Sequence, residues 1–147
     1  MSGPFTIRRD DEALDKLIQM DQLQPLLSNA KWVKLLGLLV QHWPAVHACR
    51  VKLIWEAANV DRTLLFDEDT SYGFNYYANA MEAMVSGRPR LGGWVAYKEI
   101  EWVDFPRFPA GRELQDLEQL QLQLAQVGQF RVEESADNLR LYAYLRP

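Results

Sequence analysis

The stretch YKEIEWVDF, residues 97–105, places glutamates at 99 and 101 in alternation with apolar residues. A period of two is the signature of a strand, whose successive side chains point to opposite faces. Read this way, Ile100 and Trp102 face a core, and Glu99 and Glu101 face water. A strand with one wet face belongs to an antiparallel sheet covered on one side only. GWVAY (93–97) extends the strand pattern upstream, and Pro106 and Pro109 stop it downstream, because proline gives no ladder donor.

The flanking segments fit the same architecture. Downstream, ELQDLEQLQLQLAQVG puts Leu114, Leu117, Leu120, Leu124 and Val127 on one helical face, with Gly128 as the C-cap. FRVEE and LRLYAYL then predict a hairpin around residues 135–138, with Phe130 and Val132 inward against Leu139, Leu141 and Ala143. Upstream, RVKLIWE (50–56) and RTLLF (62–66) predict another hairpin, turning at Asn59 to Asp61. Between the strand regions, GFNYY alone reads as strand. Over the longer window, Phe74, Tyr77, Ala78, Met81 and Met84 have helical spacing and favour a helix across 74–85. RPRLGG (88–93) reads as a turn or loop.

Two helices open the chain. Asp10 to Met20 carries Leu14, Leu17 and Ile18 at helical spacing, with acidic residues where the helix dipole favours them. A second helix, capped by Ser28 or Asn29, runs to Gln41. It is apolar almost all round, as suits the middle of a core. The expected fold is α+β: one domain over residues 1–147, with a mainly antiparallel sheet of about five or six strands and helices mostly on one face.

Composition narrows the function classes. The 147 residues carry a net charge of −4, five Trp, six Tyr, six Phe and one cysteine. A single Cys49 allows no internal disulfide, which suits a reducing compartment. The N-terminus turns acidic without an apolar signal segment, and Trp32 to Val40 is too short to span a bilayer. These features predict a cytoplasmic protein without membrane contact. Acidic and basic blocks alternate along the chain, without the dominant basic face that nucleic-acid binding requires.

Candidate chemistry is sparse. Two carboxylates on one strand face lie roughly 7 Å apart, a spacing that glycosidases use, yet those pairs need contrasting environments to split their pKa values. The expected role of Glu99 and Glu101 is therefore a solvated rim or a partner-facing surface. His42, His47 and Cys49 fall short of a zinc ligand set, so no metal and no cofactor is expected. Asp67, Glu68 and Asp69 form an acidic loop that could anchor Lys or Arg of a protein partner, with Tyr72 and Tyr76 adding the aromatic area that interfaces favour. SGRPRLGG (86–93) matches neither a Walker loop nor a dinucleotide fingerprint. There is no nucleophile elbow, H-E-x-x-H or C-x-x-C motif.

SNAKWVKLLGLL (28–39), RVKLIWE (50–56) and YKEIEWVDFP (97–106) together resemble a family of small uncharacterised bacterial domains. Its members have a capped helix opening with Lys-Trp and a late Glu-Trp strand. Domains of this sort look like immunity proteins of toxin systems. The resemblance implies a non-enzymatic protein that binds and neutralises a cognate toxin by occlusion, and it carries no functional residue. A regulatory or adaptor domain that docks on another protein or self-associates is the alternative, and a small hydrolase or transferase the third.

Overall fold

The computed structural model describes residues 11–42, 48–55, 63–65, 80–85, 88–109 and 114–147. In chain order the elements are α1 (Asp11–Met20), β1 (Gln24–Pro25), α2 (Asn29–Gln41), β2 (Ala48–Leu53), β3 (Thr63–Leu65), β4 (Ala80–Val85), β5 (Arg88–Ala96), a 3-10 turn (Tyr97–Glu99), β6 (Ile100–Pro106), α3 (Leu117–Val127), β7 (Arg131–Glu134), β8 (Asn138–Tyr142) and β9 (Tyr144–Leu145). Helices pack against antiparallel sheets, so the fold is α+β. The main sheet has the order β5-β4-β3-β2-β6-β8-β7, and a two-stranded ladder joins β1 to β9.

Helix ends follow local chemistry. α1 stops at Gln22, which adopts the left-handed conformation (φ 54°). Leu23 N donates to Ile18 O and Gln22 N to Gln19 O, the paired bonds of a Schellman motif. Leu23 then buries itself, the apolar contact that accompanies such an end. Ser28 Oγ accepts from Lys31 N and caps α2. Asp116 Oδ1 accepts from Gln119 N and starts α3. That cap leaves Leu114 outside the helix and 59% exposed, so it does not join the predicted apolar stripe.

The helical stripes meet in one core. Trp32, Leu35, Leu36 and Leu39 of α2 and Leu117, Leu120 and Leu124 of α3 are buried with Leu14 of α1. On the sheet they face Val51, Val103, Phe105, Leu139 and Leu141. Each fully buried Leu stabilises by roughly 1.5–3 kcal/mol. Cys49 lies within this core, 1% exposed, and burial pushes its thiol pKa up. Native Cys49 is expected to resist iodoacetamide and to react once the chain is unfolded, as intact-mass measurement would show.

The sheet cannot be flat. β5 and β6 run in the same direction and are four spacings apart in the strand order, roughly 19 Å in a flat sheet. Only Tyr97–Glu99 joins them, a reach of about 14 Å at most. Flat same-direction strands need a crossover of a dozen residues or more. The strip β5-β4-β3-β2-β6 therefore rolls on itself, and β6 continues from β5 around the 3-10 turn.

Three local expectations are corrected. Ala80–Val85 is a strand paired on both sides, so ladder pairing overrides its helical spacing; residues 74–79 lie outside the described residues. RPRLGG is part of β5, not a free turn. Glu82 pairs with Trp94 and Met84 with Pro89, so residues 90–93 form a wide bulge opposite Ala83. Pro89 is tolerated because β5 is at one end of the sheet order.

The third correction concerns the opening stretch. Leu53 pairs with Ile100 and Lys52 with Trp102, which leaves Glu101 as the extra residue of a β-bulge. The bulge reverses the alternation. Ile100 shares the core face with Val103 and Phe105, while Trp102 joins Lys52 and Asp104 on the opposite face. Both faces of β6 are buried, and neither Glu99 nor Glu101 is on a wet face.

Candidate functional site

Glu99 is 0% exposed at the end of the 3-10 turn. Its Oε2 accepts from Ala96 N at 2.6 Å and its Oε1 from Trp55 Nε1 at 3.0 Å. The first bond is the half of a capping box that a side chain at this position supplies. Ile54 N donates to the Glu99 backbone oxygen at 2.7 Å. Glu99 thus fastens the β5–β6 corner to the end of β2.

Glu101 is 6% exposed and accepts from two cations. Lys52 Nζ lies 2.6 Å from Oε1. Arg146 clasps both oxygens, with Nη2 2.7 Å from Oε1 and Nε 2.9 Å from Oε2. Burial pushes the Glu101 carboxyl upward, but the hydrogen bonds from Arg146 and Lys52 outweigh it and hold the pKa below the ordinary value. Pairing of β9 with β1 places Arg146, which also reaches Ile54 O and Asp21. These carboxylates hold the fold together, and the structure corrects the expectation that they form a partner-facing surface. Asp67, Glu68, Asp69, Tyr72 and Tyr76 lie outside the described residues.

Asp104, 2% exposed, accepts from Asn138 Nδ2 and, at 3.3 Å, from Arg140 Nε. The Arg140 guanidinium lies 3.8 Å from the centroid of the Trp102 ring. Gln123 Nε2 is 3.0 Å from His42 Nδ1, and His47 lies outside the described residues. Among the described residues no group of three or more His, Cys, Asp or Glu is placed to hold a metal ion. None of the described helices is long and apolar enough to cross a membrane.

A cavity of about 230 Å³ lies at the N-terminus of α2, between Trp32, Tyr97, Lys98 and Tyr144. Trp32 and Tyr97 stack at 5.4 Å. Burial pushes the Tyr97 phenol up to about 12. Its hydroxyl has no hydrogen-bond partner among the described residues, but it also has almost no accessible surface and so does not face the cavity.

The exterior is more informative. Gln115 N donates to Arg107 O at 2.9 Å, and Gln115 Nε2 to Pro106 O at 2.8 Å. These bonds join the base formed by the end of β6 to the residues just before α3, next in the chain to Phe108 and Leu114. Both rise into solvent, 69% and 59% exposed. Arg107 fixes the base from the other side. Its guanidinium grips Glu118 through two bonds of 2.6 and 2.8 Å, and its Nε donates to Ala136 O at 2.9 Å. The Glu118 hydrogen bond raises the Arg107 pKa despite desolvation, and the fields of Glu118, Glu134 and Asp116 add to it. Arg107 N also donates to Asp137 O. Two exposed apolar residues, Phe108 and Leu114, are thus chain neighbours of the bonded residues Arg107 and Gln115, and among the described residues the fields of Glu118, Glu134 and Asp116 act on Arg107.

Sequence reading missed this surface. Exposure of Phe108 is not a periodic property. The position of Leu114 was open to inference, since D-x-x-Q at 116–119 is the pattern of a capped helix start.

No protein-family model matches the chain, and no match is found among curated proteins or among solved structures.

Proposed function

We propose that this chain is a cytoplasmic, non-enzymatic protein of immunity type, which binds a cognate bacterial toxin and neutralises it by occlusion. The supporting observation is the exposure of Phe108 and Leu114, next in the chain to Arg107 and Gln115, whose backbones are bonded and where Asp116, Glu118 and Glu134 act on Arg107. Interfaces concentrate their energy in a few apolar anchors surrounded by a polar rim. An acidic rim selects a basic partner and speeds the encounter with it. Blocking a toxin's active surface needs no reactive group on the blocker. The acidic loop Asp67, Glu68 and Asp69, with Tyr72 and Tyr76, is proposed as a second contact.

The test is co-expression with each reading frame flanking the gene. One of those products is expected to arrest growth alone and to be harmless in the presence of this protein. Reversing the charges of Asp67, Glu68 and Asp69 is expected to weaken binding with little change in thermal stability. If no flanking product is toxic and light scattering finds a homo-oligomer, the adaptor reading replaces this one. Turnover of a substrate by the purified chain would replace both with a hydrolase or transferase.

A further inference from the structure

An open groove of about 430 Å³ runs between α3 and β7, lined by Gln121, Leu124 and Ala125 on the helix and by Phe130 and Val132 on the strand side. Three residues join the end of α3 to the start of β7, so helix and strand lie side by side in opposite directions. At one end of the groove is the Phe130 ring, with Lys31 Nζ 5.1 Å from its centroid and donating to Gln129 O. The other end is acidic, because Glu118 precedes Gln121 and Ala125 on the same helical stripe and Glu134 ends β7.

β7 is the last strand in the sheet order, and Arg131, Glu133 and Glu134 are exposed. Its backbone register shows which groups are open. Ser135 N donates to Asn138 O, which makes 135 and 138 a hydrogen-bonded pair. Antiparallel ladders alternate hydrogen-bonded and non-hydrogen-bonded pairs. Glu133–Arg140 and Arg131–Tyr142 are then bonded, and Glu134–Leu139 and Val132–Leu141 are not. The N–H and C=O of Val132 and Glu134 therefore point away from β8 to the open edge. An edge beside a groove is the arrangement by which sheets accept a peptide as an added strand.

We propose that the groove receives an extended segment of the protein partner, added antiparallel to β7. Backbone bonds would form to Val132 and Glu134. Antiparallel direction sets the order of its side chains: a basic residue opposite Glu134, an apolar residue two positions later opposite Val132, and another two later over Phe130. The charge along the groove matches that order: Glu118 and Glu134 favour a basic residue where the segment enters, and Lys31 over the Phe130 ring disfavours a second cation where it ends. This rests on the reading of the chain as a partner-binding protein and adds the mode of contact.

The probe is a fluorescein-labelled synthetic peptide with lysine, valine and phenylalanine at alternate positions and threonine between them. Fluorescence anisotropy on the full chain should show saturable binding. N-methylation of the lysine and valine amides, which face β7, is expected to weaken binding about tenfold or more, since one lost hydrogen bond can cost that much. N-methylation of the threonine amides should leave it within about twofold. Ala125→Phe fills the groove from an exposed helix position, so the fold is kept, and it should weaken binding about tenfold. Absence of binding, or equal loss with either methylation pattern, overturns the proposal. A toxin that binds this protein with unaltered affinity for Ala125→Phe would retain the immunity reading and reject the groove. Peptide binding with the stated methylation pattern, in a protein that neutralises nothing, would retain the groove and reject the immunity reading.

Discussion

Glu101→Ala is expected to destabilise the protein by about 3–5 kcal/mol, because it leaves a buried cation without its partner. Lys52 is only 8% exposed in its side chain, and among the described residues its Nζ otherwise donates only to Leu53 O, at a long 3.3 Å. Arg146 is 39% exposed and can return to water, so most of the cost falls on Lys52. The paired substitution Lys52→Met with Glu101→Leu removes both buried charges, and it is expected to recover most of the loss, since apolar replacement of a buried ion pair is often neutral. Urea unfolding of the two variants would show the difference. pH gives an independent check. The folded-state pKa of Glu101 lies below its unfolded value of about 4.3. Its contribution is therefore complete above that value and is lost as pH falls through the lower, folded one. The acid limb of the stability curve should flatten in the paired variant.

Glu99→Ala is expected to cost about 1–3 kcal/mol for each donor left without an acceptor. Its donors include Ala96 N–H, at the end of β5, and the Trp55 indole, just beyond β2. Glu99→Gln keeps one side-chain oxygen and should lose less. Loss of order at the corner would appear as faster amide exchange of Ala96 and Ile54 than the global loss of stability explains. If Glu99→Ala unfolds with wild-type stability, the corner is not held as described.

Most of the framework was legible in the sequence. α2, α3, the β2–β3 pairing and the C-terminal hairpin follow from local periodicity and caps, because those segments pair with near neighbours. Two regions were not legible, and both depend on contacts distant in sequence. Met81 and Met84 have helical spacing, yet Thr63 pairs with Met84 and turns the segment into a central strand. Glu99 and Glu101 alternate as in a half-wet strand, yet a 3-10 turn and a bulge send their side chains inward to Trp55, Lys52 and Arg146. A carboxylate is buried only where donors await it. Arg146 is 45 residues from Glu101, so no local window reveals the pair. The exposed Phe108–Leu114 pair is hidden for the converse reason: solvent exposure of an apolar residue is set by what fails to cover it.

The most direct measurement is the affinity of a purified, neutralised toxin for the wild-type chain and for Phe108→Asp combined with Leu114→Asp. Both positions are on the exterior, so the melting temperature should hold. If the surface is the docking site, affinity should fall at least about a hundredfold, the loss of roughly 2–3 kcal/mol that a central anchor carries. Unchanged affinity in a folded double variant would contradict the account.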